Sequence, residues 1–277
     1  MYEQHQDTGR SGPQNRIRAR LAENGLLVGS WVMLRDALGI EKTLAAGVDF
    51  VAIDCQHGSN DLGSIVPLLQ VADRFDTGAL VRVPASEPWM IGRALDLGAS
   101  GVIVPLVNSA AQAAATVAAT RYPPRGVRSF GPVRSIPGDP FSADDGPLVL
   151  AMIETTHGLE AATEIAHTPG VDGLFVGPVD LALGIGAGTP TEVFAGNLPP
   201  ALTGAIDQIA AAATAAGLLF SGAVFGEEHA RAAARDGMRL IVHGTDGGWV
   251  SKGAQATTIL ADELRSTLVA DRKAGQK

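Results

Sequence analysis

The chain has 277 residues, of which 46% are hydrophobic and 18% charged, and it carries a net charge of −8. That balance supplies a core and excludes a disordered chain, and with no basic cluster to offset it the acidic surplus argues against nucleic-acid binding. A lone cysteine, Cys55, excludes an intrachain disulfide, and no apolar run is long enough to span a membrane, so a cytoplasmic location is expected.

In chain order, residues 1–14 are polar and lack the apolar stretch of a secretory signal. Residues 1–24 read as a flexible tail and N-terminal helix, and 25–270 as one catalytic domain; the Arg16, Arg18 and Arg20 run is short and isolated. From there apolar, β-branched runs alternate with Ala-rich stretches of helical character. The runs span 27–34, 48–54, 79–83, 101–105, 148–153, 173–176, 218–223 and 239–243. Helices are expected near 36–46, 61–73, 88–97, 109–120, 157–167, 200–215, 227–236 and 249–270.

Continuous apolar runs suit strands buried on both faces, as in a parallel sheet. Gly47, Gly98, Gly170, Gly217 and Gly237 stand where helix C-caps belong. Eight such repeats without a linker predict a closed (β/α)₈ TIM barrel, a fold of about 250 residues, with a doubly wound open sheet as the alternative. The Pro- and Gly-rich stretch 121–146 is expected to be a long strand-to-helix loop of the kind that carries function.

Barrel active sites lie at the C-terminal ends of the strands, so the polar residues following each run are the candidates. Trp31 lies in the first run, and the second ends in Asp54-Cys55-Gln56-His57-Gly58. The third ends in Val81-Arg82-Val83, the fifth in Met152-Ile153-Glu154-Thr155, and the sixth in Val176-Gly177-Pro178-Val179-Asp180. Charges in such places are costly unless paired or metal-bound. Glu154 and Asp180, about one repeat apart, would meet on neighbouring strand ends and grip one hard cation. Equally, both suit helix N-termini. Asp54 beside His57 can fix an imidazole as a general base, or it can cap a helix beside a solvent-facing His57. Arg82 suits a carboxylate or an enolate oxygen, and a buried ion pair with Asp54 or Glu154 is compatible with that. Gly184-Ile185-Gly186-Ala187-Gly188 reads as a loop, Cys55 as facing the barrel wall, and His243 as lining the mouth or packing there.

Taken together these segments, with Gly29-Ser30-Trp31, Leu80-Val81-Arg82-Val83, Leu95-Asp96-Leu97-Gly98-Ala99, Val104-Pro105 and Arg121-Tyr122-Pro123-Pro124-Arg125-Gly126, resemble the HpcH/HpaI family of class II aldolases. The resemblance runs from about residue 25 to residue 260. It implies a phosphoenolpyruvate/pyruvate-type barrel, a hexamer of three dimers that exchange their last helix, and reversible cleavage of 4-hydroxy-2-oxo acids to pyruvate and an aldehyde. It further implies that Mg²⁺, Mn²⁺ or Co²⁺ binds Glu154 and Asp180 and acts as a Lewis acid on a pyruvate enolate. Arg82 would neutralise the enolate oxygen, His57 with Asp54 would move protons, and Asp96 would approach a neighbouring subunit's site. Trp31, Gln56, Met152 and the Gly177-Pro178-Val179 backbone would contact the substrate. Two residues depart from the family's habit: Gln56 stands where Glu is common, removing one negative charge, and Met152 where Gln is frequent. Both leave the metal and enolate residues in place and bear on which acceptor is taken. Related enzymes that form the enolate by decarboxylating oxaloacetate, acyl-CoA lyases, and a binding barrel without activity are the alternatives.

Overall fold

A computed structural model describes residues 16–134 and 146–274, with side chains described as far as residue 268. Helix α1 (Arg16–Asn24) leads into β1 (Leu27–Val32), α2 (Ala37–Ala45), β2 (Phe50–Asp54), α3 (Val66–Arg74), β3 (Gly78–Arg82), α4 (Pro88–Asp96), β4 (Gly101–Val104) and α5 (Ala110–Thr120). The second half comprises β5 (Leu148–Ile153), α6 (Thr156–Glu160), α7 (Ala162–Ala166), β6 (Gly173–Val176), α8 (Pro178–Gly184), α9 (Pro190–Phe194), α10 (Pro200–Ala215), β7 (Leu219–Val224), α11 (Glu227–Arg235), β8 (Leu240–Thr245) and α12 (Asp246–Ala274). All neighbouring strands pair in parallel, in sequence order, and β8 pairs with β1 to close the barrel. The eight expected strands are thus found. The helix expected over 157–167 is broken at Ala161, and the short helices α8 and α9 were not foreseen.

Each strand sorts its side chains by parity, because successive Cβ atoms point to opposite faces. Phe50, Ala52, Leu80, Leu150, Met152, Phe175 and Val242 fill the barrel interior. Val51, Ile53, Val81, Ala151, Ile153 and Ile241 pack outward against the helices. The two layers explain why the runs are apolar throughout rather than alternating. Gly47, Gly98, Gly217 and Gly237 end their helices in left-handed geometry, Gly98 with φ 103° and Gly237 with φ 98°, while Gly170 has φ 90° in the turn beyond α7, which His167 caps.

The N-terminal end of the barrel is plugged by α1. Ile17 is fully buried in the interior cluster, and a Cβ on Gly78 would lie 2.2 Å from its Cγ1. The three arginines of this helix are therefore not isolated. Arg16 pairs with Asp73 and Asp76, Arg18 with Asp172 at 2.7 Å, and Arg20 with Asp49 at 3.2 Å. The tail expected before it lies outside the described residues.

The Pro-rich stretch is at the opposite end from that expected. It follows α5, which runs antiparallel to the strands, so it is a helix-to-strand connection at the N-terminal end. There Arg128 binds Asp96 at 2.6 Å, and Arg134 donates to the Leu97 carbonyl and pairs with Asp73. Its segment 135–145 lies outside the described residues. Helix α12 touches β1, β8 and α2 at its start. Farther along, its Ile259, Leu260, Leu264 and Leu268 are exposed in the single chain.

Candidate active site

The inward parity of β2, β3 and β5 continues past the last apolar residue into charge. Phe50 and Ala52 are followed by Asp54, Leu80 by Arg82, and Leu150 and Met152 by Glu154. Asp54 and Arg82 are register partners on adjacent strands. The guanidinium grips the fully buried carboxylate through two bonds, Nε to Oδ1 at 2.9 Å and Nη2 to Oδ2 at 2.6 Å. Oδ1 also accepts the backbone N–H groups of Gln56 at 3.0 Å and His57 at 3.2 Å, which bends the chain out of the strand. Burial alone would raise the Asp54 carboxyl. The bonds and charge of Arg82, with the two backbone donors, outweigh it and hold the group below the ordinary carboxylate range.

This arrangement corrects one expectation. Asp54 does not orient the His57 imidazole, since its oxygens are taken by Arg82 and by backbone donors. The pair is joined through the His57 backbone, while the ring belongs to an exposed residue at the end of β2. Arg82 also lies over Trp31, 4.7 Å from the ring centroid, and Trp31 meets Phe175 edge-on at 5.9 Å. Such a stacked, bidentate guanidinium has little rotational freedom.

Glu154 is buried, and its Oε1 accepts the Leu106 N–H at 2.8 Å. Leu106 reaches that position with φ 56°, a left-handed conformation that costs a branched L residue roughly 1–2 kcal/mol. Burial pushes the Glu154 carboxyl up to about 7; the Leu106 N–H opposes this, the Asp180 charge adds to it, Arg82 opposes and Asp54 adds. Asp180 sits in the first turn of α8, partly buried, behind Pro178 and Val179. Gly177 makes that approach possible. A Cβ there would lie 2.9 Å from Glu154 Cβ and 2.8 Å from its Oε2, so a side chain at this position would displace Glu154. Gln56 is partly buried, and its amide oxygen has no hydrogen-bond partner.

Glu154 and Asp180 therefore form a carboxylate pair short of positive charge. Among the described residues no cluster of three or more His, Cys, Asp or Glu is positioned to hold a metal. Two hard oxygen donors, with remaining positions left to water and substrate, fit Mg²⁺, Mn²⁺ or Co²⁺ better than a soft or tightly caged ion.

The structure thus brings together Trp31, Asp54, Gln56, His57, Arg82, Met152, Glu154, Gly177, Pro178, Val179 and Asp180 at the C-terminal strand ends. It does not bring Asp96 to them: that residue ends α4 at the far end and is bound to Arg128. His243 follows the outward parity of β8, next to His229 of α11 rather than inside the mouth. Two contributors escaped sequence reading. One is the Leu106 backbone, for which no residue type gives a signal. The other is Asp246, whose carboxylate accepts the N–H groups of Met33 and Leu34 at 2.9 and 3.0 Å and ties the end of β1 to the head of α12.

A closed (β/α)₈ barrel with an acidic pair and a buried arginine at its C-terminal strand ends belongs to the barrel enzymes that work at that face. The model of the HpcH/HpaI aldolase/citrate lyase family matches residues 27–252, and the chain belongs to that family of aldolases and lyases. It is 36% identical to a hydroxypyruvate/pyruvate aldolase of Roseovarius nubinhibens, over 75% of this chain and 82% of the relative. It is 37% identical to a 4-hydroxy-2-oxovalerate aldolase of Rhodococcus jostii, with the same coverage of 75% and 82%. The crystal structure of an HpcH/HpaI aldolase/citrate lyase family protein from Burkholderia cenocepacia superposes with a TM-score of 0.76 at 30% identity, covering 91% of this chain and 99% of that one.

Proposed function

We propose that this chain is a divalent-metal-dependent class II aldolase that reversibly cleaves 4-hydroxy-2-oxo acids to pyruvate and an aldehyde through a pyruvate enolate. The observation that carries the reading is Glu154, a buried carboxylate raised to about 7 beside Asp180 and across from a fixed Arg82. A cation held by Glu154 and Asp180 would supply Lewis-acid neutralisation of the charge that develops on the substrate. In cleavage, His57 takes the proton of the C4 hydroxyl, the C3–C4 bond breaks, and the electron pair moves into the C2–C3 enolate as the aldehyde leaves. Arg82, pinned by Asp54, faces the enolate oxygen on C2. Returning the proton to C3 completes pyruvate. The Gly177-Pro178-Val179 segment, pressed against Glu154, lines the carboxylate end, and Trp31, Gln56 and Met152 line the remainder.

The exposed apolar residues of α12 suit burial against a second copy, and the Asp96–Arg128 pair suits a neighbour's site, in keeping with a hexamer of three helix-exchanged dimers. No helix among the described residues is long and apolar enough to cross a membrane, and a cytoplasmic enzyme is our reading. The test is pyruvate release from several 4-hydroxy-2-oxo acids and from oxaloacetate, with EDTA and then with Mg²⁺, Mn²⁺ or Co²⁺ restored. Metal-dependent release from the hydroxy acids is expected. Release from oxaloacetate alone would move the function to a decarboxylating synthase, and no release would end the enolate reading.

A further inference from the structure

Phe225 follows β7 on its inward parity and packs against both the interior cluster, which holds Trp31, Met152 and Phe175, and the outer layer under the helices. It meets Phe194 of α9 edge-on at 5.0 Å, and Gly196 approaches its carbonyl so closely that a Cβ would lie 2.9 Å away. Phe225 therefore joins the β7 end of the barrel mouth to the segment that follows Asp180. Its backbone N–H is held from outside the barrel, by Nδ1 of His229 in the first turn of α11, at 3.2 Å.

An imidazole can accept at Nδ1 only while neutral, with its proton on Nε2. Protonation turns the acceptor into a donor facing a donor, and it places a cation at a helix N-terminus, where the backbone dipoles disfavour it. Burial, and then the nearby His243, hold the His229 ring below its ordinary imidazole value. From β8 the titratable group facing it is His243. Phe225 and Phe194 bring no charge from β7 and α9, where Glu192 is engaged by Thr189. On α11 itself Glu227 and Glu228 are exposed, with Glu227 bound to Arg231 at 2.7 Å. On α12, Asp246 is committed to backbone donors at Met33, Leu34 and Gly247.

We propose that His229 is a positioning residue for the acceptor side of the site: its neutral ring holds Phe225 against the mouth, and protonation releases that wall, so selection among aldehyde halves of the substrate changes in mildly acidic solution. The proposal rests on the aldolase reading. No bond to His229 is made or broken beyond the proton it takes from solvent.

The experiment compares kcat/KM for two 4-hydroxy-2-oxo acids with short and long aldehyde halves, and for oxaloacetate, between pH 8 and 5.5. In the wild-type metal-loaded enzyme the ratio of long to short acid shifts roughly tenfold as pH falls, the size of one lost buried hydrogen bond. Oxaloacetate, which yields no aldehyde, reports the pH dependence shared by the enolate machinery. In His229→Gln, whose amide oxygen still accepts but does not titrate, the ratio stays flat. A second readout needs no variant: nitrogen NMR of histidine-labelled wild-type protein should show His229 Nδ1 unprotonated at pH 8, gaining its proton below about 6.5. A ratio that shifts equally in wild type and His229→Gln, or an Nδ1 that carries the proton at pH 8, overturns this proposal alone. Absence of pyruvate release from any acid at pH 8 overturns the aldolase reading and this proposal together.

Discussion

The two ends of the barrel both carry arginine–aspartate pairs, and their settings differ. At the N-terminal end the Arg18–Asp172 and Arg20–Asp49 side chains keep between 18% and 34% of their exposure. Each arginine of α1 has a carboxylate partner around the plug of Ile17. At the C-terminal end the Arg82–Asp54 pair is at most 9% exposed, and Glu154 and Asp180 stand beside it with no ion pair of their own among the described residues. The structural end pairs its charges, some in partial contact with water and some buried, as Arg128 with Asp96 is. The candidate site keeps two carboxylates, Glu154 buried and Asp180 partly buried, that a cation would satisfy.

The sharpest way to break this contrast is to cut the buried pair. Arg82→Met should lower turnover by at least about 10²-fold and destabilise the fold by roughly 3–5 kcal/mol, because it strands the Asp54 charge. Steady-state kinetics and urea midpoints measure the two losses separately, and full activity in this variant would remove Arg82 from the mechanism.

Next in size is the pH response of Glu154 in metal-free protein. Its folded value of about 7 lies above the ordinary carboxyl value of 4.5, so the folded state holds this proton more tightly. Stability should therefore be full below the lower value and fall as pH rises through the upper one, by on the order of 3 kcal/mol. Glu154→Gln should abolish that decline, along with metal-dependent turnover, and Mg²⁺ should restore the stability of the wild type at pH 8. Melting curves across this range, with EDTA and with Mg²⁺, are the measurement; a wild type and a Glu154→Gln variant with parallel pH profiles would contradict it.

The opposite end should be far more forgiving. Arg18→Ala removes a partly exposed pair and should cost no more than about 1 kcal/mol, with kcat unchanged. A loss as large as that of Arg82→Met would erase the distinction between the ends. Smallest of all is Leu106→Gly, which keeps the N–H donor to Glu154 and relieves the left-handed strain. Relief of strain and the added freedom of the unfolded chain oppose each other, so the melting change should stay within about 1 kcal/mol.

Much of the barrel was legible because strand burial is local. A run such as Phe50 to Asp54 announces both its strand and the charge at its end, and the period of two then carries Asp54, Arg82 and Glu154 inward. Glycines such as Gly98 and Gly237 mark helix ends for an equally local reason, the steric permission of positive φ. What the chain could not declare was which neighbour each charge would choose. Asp54 had His57 close in sequence and Arg82 a whole repeat away, and the register of β2 against β3 decided for Arg82. The arginines of α1 look isolated until closure of the barrel sets Asp49, Asp73 and Asp172 around them. In the same way the direction of α5 sends the Pro-rich stretch to the far end, and the parity of β8 turns His243 outward. Composition and period act within a few residues and so determined the strands and the inward charges. Pairing depends on lateral register and barrel closure, which join residues far apart in the chain, and only the tertiary structure could decide it.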